Sequence, residues 1–368
     1  MSVSAGSGVV EKPRHAWVDF AKGLCMILVV FYHLSLWVET EVQSGPWVWW
    51  IISDALNPLR MPLFFFISGY LSVTALRRPL DQSRSRTIGL YFVYVLWTGL
   101  FLLRRWLPFL ATDTRPEMHQ WVLSLILPTS FWYLYALPVF FLMSKLLLRL
   151  LGAKSAYALI PVALVSVLAP LVQPYTSTIL SEPFDAAKIP SVLANFLWFY
   201  LGVHGTTLWA KLSARPSYPK LAAALAFYAA LYTVMSMFRL ELFLETVLSL
   251  LALYVTAQLV SRVSMEAWVS RGLRKIGSQT LPVYIFHIIL VSVLSAIVKL
   301  TGVMPVFRDE PAWAAALLPP LLVMPLVLIC LLIGRLIKGS RLRWLLEGPA
   351  SLVSPREVRK SRPKEEVH

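Results

Sequence analysis

Apolar residues occur along this chain in long blocks separated by short polar segments. Ten blocks qualify: 16–38, 58–76, 88–110, 131–150, 156–174, 191–210, 221–238, 242–261, 280–300 and 312–337. A helix that crosses a bilayer core needs about 20 apolar residues. Within lipid a helix also satisfies its own backbone N–H and C=O groups, which an open strand cannot do. The pattern therefore predicts an all-α integral membrane protein, a bundle of about ten transmembrane helices. The run 46–57 carries Trp47, Trp49 and Trp50 and reads as a short interfacial helix, because Trp favours the membrane boundary. Residues 118–128 read as a second one. Neither an internal repeat nor a separate soluble domain is visible. The organisation is a polar N-terminal segment 1–15, a transmembrane domain 16–337 and a basic tail 338–368.

Composition sharpens this reading. The chain is 58% hydrophobic and 14% charged, whereas soluble proteins carry roughly 25% charged residues. Its first block is too long for a signal-peptide core and no small-residue cleavage pattern follows it, so it reads as a retained helix. Cys25 and Cys330 both lie inside apolar blocks, which leaves no disulfide framework and no metal-ligand spacing. No metal and no bound cofactor are expected.

The net charge of +15 does not point to nucleic acid, because the cations sit in short loops between apolar blocks. With the N-terminus inside the cell, the inward segments are 1–15, 77–87, 149–155, 211–220, 262–279 and 335–368. They hold 24 Lys and Arg. The outward segments 39–57, 104–120, 174–190, 239–241 and 301–311 hold six. The positive-inside rule then expects both termini in the cytoplasm.

Ionisable groups inside a span are costly and mark function by default. The first block holds Asp19, Lys22 and His33. Eleven residues separate Lys22 from His33, which at ~100° per residue brings them to one helix face, roughly 16 Å apart along the axis. Such an arrangement suits a long donor with an anionic head at one membrane face and a reactive end deeper in. Asp19 is too far from His33 to orient it and is placed to pair with Lys22 at i, i+3. Two bland readings stand beside this: Asp19 and Lys22 as a boundary ion pair, and His33 as an interfacial residue. In the second block Pro62 is expected at the helix start, where its missing N–H costs nothing. Arg60 precedes it at the depth of His33, facing either an acceptor or lipid phosphate. Ser68-Gly69 fits close helix packing.

Four strings then make the chain recognisable. Asp19-x-x-Lys22-Gly23 with His33 resembles the first helix of the membrane-bound acyltransferase-3 family. Met61 to Tyr70 is similar to that family's Phe-Phe-x-x-Ser-Gly helix, Phe131 to Leu137 to its Trp-Tyr-Leu helix, and Gly277 to His287 to its late Gly-x-x-Ser/Thr-Leu-x-x-Tyr-x-x-His element. The Lys-Gly form and the Met-Pro-Leu-Phe-Phe-Phe string look most like sugar O-acetylases and glucan-modifying enzymes. The resemblance implies transfer of an acyl group, acetyl first, from cytoplasmic acyl-CoA to a carbohydrate hydroxyl at a bacterial inner membrane. It implies His33 as the catalytic residue and Lys22 as a donor-binding residue. The family's basic Arg-x-x-Arg element is replaced here by Arg84-Ser85-Arg86, with Arg77 and Arg78 upstream, so which arginines grip the CoA phosphates stays open.

A neutral imidazole suits removal of the hydroxyl proton, because its reference pKa is near working pH. The developing oxyanion needs a donor, and Arg60, Tyr133 and Ser68 are candidates. Depth alone places Trp132 and Arg60 level with His33. His287 either lines the donor channel or is a core histidine. The partners expected are membrane lipid, acyl-CoA and a carbohydrate acceptor. A transporter or flippase is the rival class, and a sensor or scaffold subunit is a third. A transporter would carry midplane charges in matching interrupted halves. The interiors of 156–174, 221–238 and 242–261 show none.

Overall fold

The computed structural model describes residues 16–42, 47–106, 118–180, 187–214, 216–302 and 312–354. Within them every regular element is helical. In chain order these are α1 (Ala16–Trp37), α2 (Trp47–Ala55), α3 (Asn57–Leu76), α4 (Ile88–Trp106), α5 (Met118–Ile126), α6 (Trp132–Leu151), α7 (Leu159–Leu168) and α8 (Gln173–Thr176). There follow α9 (Ile189–His204), α10 (Thr206–Ala214), α11 (Tyr218–Phe238), α12 (Glu241–Val260), α13 (Trp268–Gly277), α14 (Thr280–Thr301) and α15 (Ala312–Lys338).

Among the described residues, seven helical segments are long and apolar enough to cross a membrane: 16–41, 48–76, 80–104, 132–176, 218–238, 280–301 and 317–338. The helix α9 and residues 244–260 of α12 are apolar but shorter. Two of the ten expected blocks are interrupted. Block 156–174 divides into α7, a 3-10 turn and α8, with Pro170 and Pro174 opening the last two pieces. Proline has no N–H to continue the preceding helix. Block 191–210 breaks at Gly205, between α9 and α10.

Three local readings change. The second block begins at Asn57, so Pro58 occupies the favoured first-turn position and Pro62 lies inside α3. The segment 262–279, expected as a loop, contains the amphipathic α13, whose Val269, Leu273 and Ile276 recur at helical spacing. The first part of the basic tail is docked against α4. There the Trp97 indole N–H donates to Leu345 O at 2.8 Å, and Leu346 is buried.

Glycines set the closest contacts in the bundle. A Cβ at Gly69 of α3 would lie 1.9 Å from Phe199 O, and one at Gly202 of α9 would lie 2.0 Å from Phe66 O. On the other side of α1, a Cβ at Gly23 would meet Leu273 O at 2.0 Å, and one at Gly277 would meet Asp19 O at 1.8 Å. Small residues let membrane helices approach until their backbones touch, which supplies dispersion where lipid removes the hydrophobic drive. The outcome is that α1 sits between α3 and the α13–α14 corner. Lys145 of α6 donates to Leu76 O at 2.8 Å and also to Arg78 O, placing a cation at the carbonyl end of α3.

Candidate active site

At the N-terminal end of α1, Lys22 Nζ stands 3.0 Å from Asp19 Oδ1, the i, i+3 pair expected from the spacing. Both line a cavity of about 750 Å³ walled by α3 and the 3-10 turn Leu80–Arg86. Arg78 and Arg86 line it too. Arg86 donates to Ser72 Oγ at 3.2 Å and Leu71 O at 3.5 Å, so its head is held against α3. Arg84 is not among the lining residues. Three cations and one carboxylate thus face one space, which is the chemistry of an anion site. Arg78 was legible in the sequence only as a residue upstream of the Arg84-Ser85-Arg86 string.

At the other end of α1, the His33 ring lies 5.0 Å from that of His287, centroid to centroid. His287 is fully buried, and its Nδ1 is 2.8 Å from Val283 O. A carbonyl oxygen only accepts, so Nδ1 carries the proton and Nε2 keeps a free lone pair. That Nε2 is buried without a hydrogen-bond partner. The sequence left His287 open between core and channel. It is a core residue that also touches the candidate base.

A seam of polar groups continues from there. Tyr284 packs on His287 at 6.0 Å and on Tyr133 at 5.2 Å, and its hydroxyl accepts from Tyr133 N at 3.3 Å. Tyr133 Oη and Ser68 Oγ are 3.1 Å apart, and Ser68 also donates to Phe64 O at 2.9 Å. His33, Ser68, Tyr133 and His287 come from the four strings that carried the resemblance, and the fold brings them into one line. Beside this seam, Met26, Val29, Met61, Phe64, Tyr133 and Tyr284 line a void of about 10 Å³. That is room for about one water.

Arg60 is buried, with its guanidinium 4.3 Å above the Tyr32 ring. It donates to Ser53 Oγ at 2.8 Å and to Asn57 Oδ1 at 3.0 Å. Trp132 turns to Phe65, at 5.7 Å, and to a second cavity of about 420 Å³. Asn57, Asn195, Trp198, Glu245 and Ser249 share that cavity. Asn57 Nδ2 donates to Glu245 Oε1 at 3.1 Å, and Asn195 Oδ1 is buried without a partner. This cavity escaped the sequence reading because its polar residues come from separate helices, each otherwise apolar.

The acyltransferase-domain family model matches residues 15–337 of the chain. The chain belongs to the membrane-bound acyltransferase-3 family. This acyltransferase is 30% identical to inner membrane protein YcfT of Escherichia coli (strain K12), over 93% of the chain and 98% of YcfT. It is 35% identical to glucans biosynthesis protein C of Salmonella paratyphi B over 79 residues, 20% of the chain and 21% of that protein. No solved structure matches it. Among the described residues of the acyltransferase, no cluster of His, Cys, Asp or Glu is arranged to hold a metal ion.

Proposed function

We propose that the protein is an inner-membrane O-acyltransferase that moves an acyl group, acetyl in the simplest case, from cytoplasmic acyl-CoA to a hydroxyl of a carbohydrate acceptor. The observation that carries this reading is α1 itself. It presents Lys22 to a cationic cavity at one end and His33 to the conjunction of four motif strings at the other. CoA phosphates fit the cavity of Lys22, Arg78 and Arg86. The pantetheine arm then follows α1 toward His33, past Met26 and Met61. Unbranched methionine side chains re-pack easily and can open such a path. The acceptor fits the cavity of Trp132, Trp198, Asn195 and Glu245, whose flat rings and amide groups match the faces and hydroxyls of a sugar.

The chemistry needs only groups of this chain. The unprotonated nitrogen of His33 takes the acceptor hydroxyl proton as the oxygen bonds to the thioester carbonyl carbon. An oxyanion forms, with Tyr133 Oη and Ser68 Oγ of the seam as its hydroxyl donors. The carbon–sulfur bond breaks, and the thiolate leaves as CoA and recovers the proton from His33. His287 Nε2, whose lone pair has no partner in the structure, is the acceptor that the other N–H of His33 would find on turning toward it, which would fix the His33 tautomer, a positioning role. The decisive assay is transfer of labelled acetyl from acetyl-CoA to a panel of sugars by purified protein in nanodiscs. Transfer to no sugar, with no ester product, would remove the reading.

Ten crossings with both termini in the cytoplasm complete the proposal, since Lys22 must face cytoplasmic acyl-CoA. Reporter fusions at Asp81 and Ser217 should report the cytoplasm, and one at Ser177 the opposite side. An outward report from Asp81 would place the Lys22 cavity on the wrong face.

Lys22→Ala should weaken acetyl-CoA binding by roughly one to two decades, the value of about 1.5–3 kcal/mol for a charge-assisted contact. Turnover should partly recover at high donor concentration. Because Lys22 also neutralises Asp19 at 3.0 Å, the single variant leaves a bare carboxylate facing the phosphates. Lys22→Ala with Asp19→Asn should therefore bind better than Lys22→Ala alone. Donor titrations of the three proteins give the comparison, and equal affinities for the two variants would separate Asp19 from the donor.

A further inference from the structure

A third cavity lies outside the proposed reaction path. It has a volume of about 530 Å³ and is walled by α13, α15 and Ile27 of α1. Its lower wall is apolar, formed by Met324, Leu328 and Leu331 of α15. Lys275 and Arg335 line it as well. Both cations are exposed, and neither has a carboxylate partner among the described residues. Arg335 is in the last turn of α15 and Lys275 in the last turn of α13, which lies against the Lys22 turn of α1 through Gly23 and Gly277. Both charges therefore sit at the Lys22 end. From Arg335 to Met324 the slot runs roughly 16 Å down α15, at about 1.5 Å per residue. The exposed Trp268 lines it too, a residue type that favours the membrane boundary.

A slot with two unpaired cations at its mouth and an apolar wall running into the bilayer has the shape and charge of one phospholipid. Basic pockets between membrane helices hold anionic head groups, because the cations gain a phosphate and the acyl chain keeps its apolar surroundings. We propose that this slot binds one anionic phospholipid, with its phosphate on Lys275 and Arg335 and one acyl chain laid along α15 beside Ile27. The occupant would brace the α13 corner that holds Lys22 in place. The site does not depend on which acyl donor or acceptor the enzyme uses.

The full-length protein in mild detergent is incubated with equal amounts of phosphatidylglycerol and phosphatidylcholine, and retained lipid is read by native mass spectrometry. Wild type should keep one phosphatidylglycerol in preference to phosphatidylcholine. Lys275→Gln with Arg335→Gln should lower that retention roughly tenfold or more, since each surface cation is worth roughly fivefold in affinity for an anionic head group. Leu331→Trp, which fills the slot with both charges in place, should lower it too. A control pair at the same end, Arg149→Gln with Lys154→Gln, should bind as wild type does. The proposal is overturned if wild type shows no preference for phosphatidylglycerol. It is equally overturned if the Lys275 and Arg335 pair or the Leu331 variant binds like wild type, or if acetyl-CoA displaces the lipid, which would make the slot part of the donor site.

Discussion

Replacing His33 with alanine is expected to depress acyl transfer by roughly 10²–10⁴, the usual value of a positioned general base, with acetyl-CoA affinity nearly unchanged. The argument is positional. His33 lies about three turns from Lys22 on one helix, so its loss leaves the cationic cavity of Lys22, Arg78 and Arg86 untouched. The imidazole also has a buried neighbour, His287, 5.0 Å away with a lone pair that no other group uses. His287→Ala should therefore lower turnover less than His33→Ala, and its pH–rate profile should shift, because the group that fixes the His33 tautomer is gone. A purely structural His287 would change stability and leave the profile in place. Initial rates across donor concentration, with direct acetyl-CoA binding to each variant, make the comparison. Near-normal turnover in His33→Ala would mean that another group removes the proton.

The second large effect is on assembly. Gly69→Ala and Gly277→Ala each place a Cβ about 1.8–1.9 Å from a backbone carbonyl oxygen on a neighbouring helix. Neither partner is a side-chain end that can rotate away. Helices must separate, and overpacking a close contact costs about 1–3 kcal/mol or more. For Gly277 the displaced backbone is that of Asp19, beside Lys22, so donor binding should fall along with stability. Both variants are expected to give little monodisperse protein after extraction, with a lowered melting temperature in what remains. Gly99→Ala is the matched control, since a Cβ there would meet only a Leu125 methyl at 3.8 Å, ordinary contact. Unchanged melting in Gly69→Ala would mean that α3 and α9 are less closely packed than their geometry requires.

Helix positions were legible because lipid imposes a simple rule: blocks of about 20 apolar residues must be helices. The boundary errors arose where proline chemistry intervened. The sequence pattern places Pro62 at the helix start, whereas α3 begins at Asn57 with Pro58 in its first turn. The basic segment 262–279 concealed α13 because its cations outweighed a short apolar stripe. The Asp19–Lys22 pair was legible, being local on one helix.

The contacts that make a site were of another kind. Length and hydropathy dictated a helical membrane protein. The Lys22–His33 spacing dictated that a cation and an imidazole share one face of α1, because an α-helix fixes rise and angle per residue. What stands opposite that face depends on which helices approach, and to what distance. That was decided by Gly23 against Leu273, Gly277 against Asp19 and Gly69 against Phe199, contacts between segments remote in sequence. They set His287 beside His33, Arg78 beside Lys22 and Glu245 beside Asn57. Helical periodicity carries no record of such pairings, because it describes a helix relative to its own axis, and a site is made between axes.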